Sequence, residues 1–346
     1  MKLTYTEIFD TFNALGKTAD YLDTMQDAMK AFFRDRKQLV FIGCGSSYSL
    51  AKSMSIMAHM ATGIPSSAMA AGDILLHAAR YGKCFDGCAV VCISRSGRTS
   101  ELLMALDALK GNNYAFSVAS LIYADGTPLA EKSDLVLSMP WAFDSSVCQT
   151  RSVTNFYFCA AYALARLTEN QALLDDLRHV VEKGPEYMRR VETLAEELAV
   201  HPWTHCVVLA DAELEGIAEE GALAFKEICQ LPSNYYHLLD IRHGPMVLLG
   251  KNTLVLAALG VKDSQEYKLL ADIKGKNTEL IAFSDTPPAG PTAGQDIRGF
   301  AYGRPLSHIA RGVPFIVLCQ LVAYKKSLQT GADPDKPTGL EAWIAL

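Results

Sequence analysis

Two short stretches of the sequence gather residues able to hold an anion. In "VCISRSGRTSELL" (Val91 to Leu103) an apolar run stops at Ser94, Arg95, Ser96, Gly97, Arg98 and Thr99, and a helix-like pattern begins at once. "FIGCGSSYS" (Phe41 to Ser49) ends an apolar run in the same way, with Gly43, Gly45, Ser46 and Ser47. At the start of a helix the unpaired backbone N–H groups and the positive end of the dipole attract negative charge, and the Ser and Thr hydroxyls add donors. Gly97 lets the backbone come close. A single loop of this kind serves equally as a set of plain N-caps, but two in one half can converge on one phosphate. Neither is a nucleotide motif: GxxxxGK[ST] is absent and "GCGSSY" lacks the third glycine of the dinucleotide fingerprint. A small phosphorylated ligand fits better.

A second group of residues offers proton chemistry. Glu220 and Glu227 are two helical turns apart and share a face, while Ala218, Ala222, Phe225 and Cys229 form the apolar stripe of the same stretch. His243 lies soon after, in "RHGP". A glutamate on a helix is ordinarily a surface residue and a histidine in a loop is ordinarily structural, so spacing alone leaves both open. Among the nine cysteines no pair has the CxxC spacing of a zinc or redox site. No metal and no cofactor are expected, and the thiols read as buried and reduced.

The elements that must position these residues alternate along the chain. "QLVFIG" (Gln38 to Gly43), "AVVCIS" (Ala89 to Ser94), "AFSVASLIY" (Ala115 to Tyr123) and "DLVLSMP" (Asp134 to Pro140) are near-continuous apolar runs, as strands covered on both faces should be. Helical patterns fall between them, so the first half is α/β with a parallel sheet, ending near Leu167. The charged stretch from Asn170 to Val200 reads as a helical bridge. A second series then starts with "HCVVLA" (His205 to Ala210), "TLVLAAL" (Thr253 to Leu259) and "TELIAFS" (Thr278 to Ser284). Its first loop, "ADAELEGIAEEG", lacks the Ser/Thr/Gly cluster and predicts no second phosphate. "DTPPAGPTAG" (Asp285 to Gly294) predicts a surface loop.

Composition limits the partners. The 346 residues are 50% hydrophobic, enough for about two domains, and the formal net charge of -6 has no Lys/Arg-rich run beside it. That argues against nucleic acid and against an anionic membrane surface. "MKLTYTEIFDTF" has no apolar signal core and "VPFIVLCQLVAY" is too short to span a bilayer. The expectation is a cytoplasmic protein.

Taken together, "CGSS", "SRSGRTSE" and "SSVCQTRSVTNFY" (Ser145 to Tyr157) resemble the phosphosugar-binding segments of the sugar isomerase (SIS) domain family. "EEGALAFKE" (Glu219 to Glu227), "DIRHGPM" (Asp240 to Met246) and "CQLVAYKKSLQTGADPDKP" (Cys319 to Pro337) resemble, in order, the second half of the isomerase part of glucosamine-6-phosphate synthase. The resemblance implies two SIS-type three-layer αβα sandwiches with parallel sheets. The divisions are N-terminal helices at 1–36, a first SIS domain with the phosphosugar loops at 37–168, a helical linker at 169–200, a second SIS domain at 201–328 and a C-terminal tail at 329–346.

By that resemblance Ser47, Ser94, Ser96 and Thr99 hold the phosphate, and Gly45, Ser46, Arg95, Val147 and Gln149 are neighbouring binding positions. Glu227 becomes the base at C1 or C2, and His243 opens the sugar ring, reaching into the site of a neighbouring subunit so that a homodimer or higher assembly is implied. Arg95 and Arg98 depart from the synthase, which has glutamine and glutamate there; Arg98 also reads as a solvated residue at a helix start. The chain shows no nucleophilic cysteine after Met1 and no glutaminase segment, so glutamine-dependent synthesis is not expected. Ala224 stands where the synthase has a helix lysine, and Ala342, in "GLEAWIAL", where it has its imine-forming lysine. The expected activity is proton transfer on a 6-phosphorylated sugar derivative. It takes the form of deglycation of a sugar–amino acid conjugate, or of isomerisation or deamination of an amino-sugar 6-phosphate as in tagatose-6-phosphate isomerase-like proteins. A non-catalytic phosphosugar sensor is the alternative of another class.

Overall fold

The computed structural model describes residues 2–287 and 297–341. Three helices, α1 (Leu3–Phe9), α2 (Thr11–Thr24) and α3 (Gln26–Phe33), precede the first sheet. Then follow β1 (Leu39–Gly43), α4 (Ser46–Thr62), β2 (Ser66–Ala70), α5 (Ala71–Tyr81), β3 (Ala89–Ser94), α6 (Ser100–Gly111), β4 (Ser117–Ile122), α7 (Pro128–Glu131), β5 (Leu135–Ser138) and α8 (Arg151–Leu167). The long α9 (Gln171–Ala199) leads to β6 (His205–Leu209), α10 (Glu215–Ile228), β7 (Ser233–Tyr236), β8 (Thr253–Ala258), α11 (Ser264–Lys274), β9 (Glu279–Ser284), β10 (Arg298–Ala301) and α12 (His308–Thr330).

The first sheet has the order β2-β1-β3-β4-β5 and the second β10-β9-β8-β6-β7, and every pairing is parallel. Read from its other edge, the second sheet repeats the topology of the first strand for strand. Alternation explains the apolar runs. Val40 and Ile42 face a core closed by Ile74, Leu102 and Leu106 from α5 and α6, while Leu39 and Phe41 face the opposite core, which α4 and α8 cover. The second sheet is covered by α11 on one face and by α10 and α12 on the other. Each sheet is therefore the middle of a three-layer αβα sandwich, and one continuous core joins the helices between the two sheets.

Every strand expected from the apolar runs is present. The sequence missed β2, β7 and β10, which all lie at sheet edges, with one flank unpaired and half of their side chains or more outside the core. Such strands need no continuous apolar run. Of the Pro/Gly-rich segment 285–294, residues 288–294 lie outside the described residues, as does Ala342. All nine cysteines are free, seven of them buried. Among the described residues, no helix is long and apolar enough to cross a membrane.

Two features of the fold place the site. The order reverses between β1 and β3, so the loops that leave their C-terminal ends flank a topological switch point, where open parallel sheets take ligands. The second feature is how α10 docks. A Cβ on Gly216 would sit 1.9 Å from the carbonyl oxygen of Ser49, so only glycine permits this approach of α10 to α4. The Ile217 N–H donates to Ser53 Oγ at 3.0 Å, and Lys52 pairs with Glu219 at 2.7 Å. Further along, Glu220 meets the Ser46 hydroxyl. α10 thus runs down α4 toward the first loop and carries Glu227 over the switch point.

Candidate active site

A cavity of about 180 Å³ opens at the switch point. Gly45, Ser46 and Ser47 line it from the loop after β1, and Ser94, Arg95, Ser96 and Thr99 line it from the loop after β3. Gln149 and Glu227 also line it, beside Cys44, Ile93, Glu101, Leu102 and Glu341. Nine of the eleven residues singled out from the sequence therefore meet in one place; Val147 and His243 do not line the cavity.

The hydroxyls are not spent as helix caps. Thr99 is the N-cap residue of α6 and Gly45 that of α4, yet neither helix start has a side-chain capping bond. Ser94 Oγ instead lies 3.2 Å from Thr99 Oγ1 and accepts from the Gly97 N–H at 3.1 Å, and Ser96 Oγ accepts from the Arg98 N–H at 3.2 Å. Gly43 makes the tight entry to α4 possible, because a Cβ there would lie 2.4 Å from the Ser47 backbone. Arg98 is exposed.

The second sheet treats its matching loop differently. Between β8 and α11 a loop of the same length runs from Leu259 to Asp263, and its N–H groups already have an anion of their own. Gly260 donates to Glu266 at 2.7 Å, Val261 at 3.3 Å, and Lys262 also donates to that carboxylate. In the first loop the corresponding residue is the apolar Leu102, which brings no carboxylate to those N–H groups. The loop after β6 carries Asp211, which accepts from the Leu238 N–H at 3.0 Å.

Arg95 is buried, and its Nη1 donates to the carbonyl oxygens of Ser146 (3.0 Å) and Val147 (3.2 Å). It therefore ties the second loop to the segment Ser145–Gln149. Burial lowers its pKa, against the pull of Asp144, Glu227 and Glu7. Three further residues hold that segment, and nothing local in the sequence marks them. Glu7 of α1 accepts from the N–H groups of Ser145 and Ser146, the Asp335 carbonyl accepts from the Val147 N–H at 3.0 Å, and Asp144 accepts from the N–H groups of Thr150 (2.8 Å) and Ser152 (2.9 Å) at the start of α8. Asp144 is fully enclosed, and burial together with the Glu7 charge pushes it up to about 6. Asp335 also accepts from the Thr4 N–H at 2.8 Å, so the first helix and the C-terminal tail meet beside the site. Val147 thus contributes through its backbone rather than by lining the cavity.

Glu227 is pushed up to about 7, chiefly by burial and against the opposing charges of Arg95 and Lys226. A carboxylate in that range can both take and return a proton at neutral pH. Glu220 is buried and held well above the usual carboxylate range by desolvation and by Glu227, with the Ser46 hydroxyl bond pulling the other way. Ala224 is buried one turn along. Among the described residues no cluster of His, Cys, Asp or Glu could hold a metal ion. His243 stands apart, exposed at the end of the turn Asp240–Arg242. Close to it in sequence, Val247 and Leu248 are 83% and 63% exposed.

Comparison with known proteins gives the architecture its relatives. The chain is 26% identical to the glutamine–fructose-6-phosphate aminotransferase [isomerizing] of Legionella pneumophila (strain Paris), over 98% of this chain and 58% of that protein. It thus spans a little over half the length of the curated relatives it matches. A tagatose-6-phosphate ketose/aldose isomerase from Escherichia coli superposes with a TM-score of 0.83 at 21% identity, covering 99% of this chain and 97% of the other. Glucosamine-6-phosphate deaminase from Thermotoga maritima does so with 0.74 at 24% identity, covering 95% and 100%. Both share the pair of parallel-sheet sandwiches. Residues 32–165, the stretch that carries both hydroxyl loops, match the family model of the SIS domain.

Proposed function

We propose that this protein is an enzyme that acts on a 6-phosphorylated sugar derivative by proton transfer at C1 and C2. The observation that carries this reading is the shared cavity: Ser94, Ser96 and Thr99 keep their hydroxyls for something other than capping, and Glu227 lines the same space with a pKa of about 7. The phosphate anchors on the hydroxyl loops, and that binding energy holds the reacting carbons against Glu227. Its relatives include proteins named for fructose 6-phosphate, tagatose 6-phosphate and glucosamine 6-phosphate, which supports the substrate class.

On a 1-amino-1-deoxy-ketose 6-phosphate, Glu227 takes the C1 proton and the electron pair forms the C1–C2 double bond of an enaminol. Return of a proton to C2 gives an imine at C1. Water adds there, the C–N bond breaks with its electron pair going to nitrogen, and an aldose 6-phosphate and a free amine leave. The same pair of proton transfers without hydrolysis is an isomerisation, and with an amino-sugar 6-phosphate as substrate the hydrolytic version is a deamination.

His243 supplies the second acid/base from another copy of the chain. Its exposure, and the apolar Val247 and Leu248 beside it, support a homodimer that covers this segment. The free, mostly buried thiols agree with a reducing cytoplasm. Incubation with a panel of 6-phosphorylated ketoses, amino sugars and sugar–amino acid conjugates, followed by NMR, tests the reading. Turnover of at least one, abolished in Glu227→Gln, is expected; binding without turnover across the panel would make the protein a sensor.

A further inference from the structure

A second cavity, of about 320 Å³, lies in the first sandwich between the sheet and the helices α3, α4 and α8. The sheet lines it with Phe41, Val91, Leu121 and Leu137 and the helices with Met29, Met54 and Met57, all of them buried. Small residues leave the space open. α8 presents Ala160 and Ala163, three positions apart on one face, while α4 presents Ala58 and β4 presents Ala119. Interiors as a rule pack too closely to keep such a gap. An apolar cavity of about 150 Å³ already stays dry and takes up benzene or xenon, and this larger one has the size and the apolar lining of a small-molecule site.

Its polar lining residues gather at one mouth. Lys30 is in the last turn of α3 and Arg34 follows that helix, Thr62 ends α4, and Thr168 follows α8. The helix ends themselves are satisfied by the chain: the Thr62 hydroxyl donates to the Ala58 carbonyl at 2.6 Å, the Thr168 hydroxyl to the Leu164 carbonyl at 2.8 Å and Arg36 Nε to the Phe32 carbonyl at 2.9 Å. Lys30 pairs with Glu169 at 3.0 Å, while the exposed Arg34 has no ion-pair partner among the described residues. The unmet charge at the mouth is positive.

We infer that this cavity is a second binding site, for an amphiphile whose apolar tail fills the interior and whose anionic head meets Arg34 and Lys30 at the mouth. Burying the tail removes apolar surface from water and asks no hydrogen bond of the lining. A peptide segment is a poor occupant, because its N–H and C=O groups would find no partners among these side chains. The site is separate from the catalytic one. The two cavities share no described lining residue, and α4 carries Ser46 and Ser47 at its start but Met54, Met57 and Ala58 further along, so the amphiphile and a phosphosugar sit toward opposite ends of one helix.

Calorimetric titration with decanoate, decanol and decylammonium, each below the concentration at which it self-associates, separates the tail from the head. Decanoate should bind saturably and at least about tenfold more tightly than decylammonium, with decanol between them and the spread shrinking as salt is added. Ala163→Met, which places a flexible side chain in the gap, should cost decanoate about tenfold or more while the thermal midpoint holds or rises. Arg34→Gln alters only an exposed side chain; it should weaken decanoate severalfold and leave decanol unchanged. Glucose 6-phosphate should not compete with decanoate. The inference is overturned by a wild type that fails to bind decanoate saturably, by equal affinities for the three heads, by a folded Ala163→Met that binds decanoate like wild type, or by competition from glucose 6-phosphate. None of these outcomes bears on whether the hydroxyl loops hold a phosphate.

Discussion

The Glu7 carboxylate accepts hydrogen bonds from the backbone N–H groups of Ser145 (2.5 Å) and Ser146 (3.2 Å), 138 and 139 residues further along the chain. The Ser146 hydroxyl donates to the same carboxylate. A residue of the first helix therefore fixes the segment that presents Gln149 to the cavity and offers Arg95 its two carbonyls. Glu7 does not line the cavity, so its effect on ligand binding passes through that segment.

Replacing Glu7 by Ala should leave the N–H groups of Ser145 and Ser146 without an acceptor, at a cost of about 1–3 kcal/mol for each that stays buried, while the Ser146 hydroxyl keeps the Cys148 carbonyl at 2.9 Å. Phosphosugar affinity should fall by tenfold or more and the thermal midpoint should drop. Glu7→Gln keeps an acceptor and should recover part of both. Calorimetry beside thermal unfolding checks this, and an alanine variant that loses stability yet binds as tightly as wild type would confine Glu7 to the fold.

The hydroxyl loops make a sharper prediction. Ser96→Ala and Thr99→Ala should each weaken 6-phosphosugar binding by about 1.5–3 kcal/mol, the worth of a hydrogen bond to a charged group. Unphosphorylated sugars should hardly respond, because the lost donors face the phosphate. An equal loss for both ligand types would return these residues to a capping role.

These contrasts mark what a sequence can disclose. The hydroxyl loops were legible because loop chemistry is local: Ser, Thr and Gly at the end of an apolar run announce a strand-to-helix turn with spare donors. The central strands were legible because both faces are covered, whereas β2, β7 and β10 lie at edges, where composition is free to vary. Glu7, Asp144 and Asp335 left no trace. Glu7 and Asp335 work through contacts to distant backbone, Asp144 through N–H groups six and eight residues on, and a glutamate in "YTEIF" looks the same whether it meets water or Ser146. Glu227 lay between these cases: helical spacing placed it on a face, and only the fold shows that this face closes the cavity.

Assembly can be tested through His243, which is exposed and does not reach the cavity of its own chain. Chains carrying Glu227→Gln and chains carrying His243→Ala should each be nearly inactive alone. After subunit exchange, hybrid dimers should regain activity through the one site that keeps both residues. Mixtures that remain inactive, with exchange verified by native mass spectrometry, would require both residues to act within one chain.

Glu227 sets the pH dependence, and the sign follows from its environment. As the acting base it must be ionised, so turnover should rise with pH through about 7. Stability should move the other way. Below the ordinary carboxylate range both folded and unfolded chains hold this proton and no penalty exists; between that range and about 7 the unfolded chain gives the proton up while the folded one retains it, so stability falls as pH rises across the window. Glu227→Gln removes the titration, and its thermal midpoint relative to wild type should climb over the same interval and then level off. Its turnover should drop by about 100- to 10,000-fold, the usual contribution of a general acid–base group. Among the described residues no lysine lines the cavity and Ala224 offers no amine, so borohydride should trap no sugar adduct on the protein. Near-wild-type turnover in Glu227→Gln, or a reduced adduct mapped to Lys226, would replace direct proton transfer with covalent catalysis.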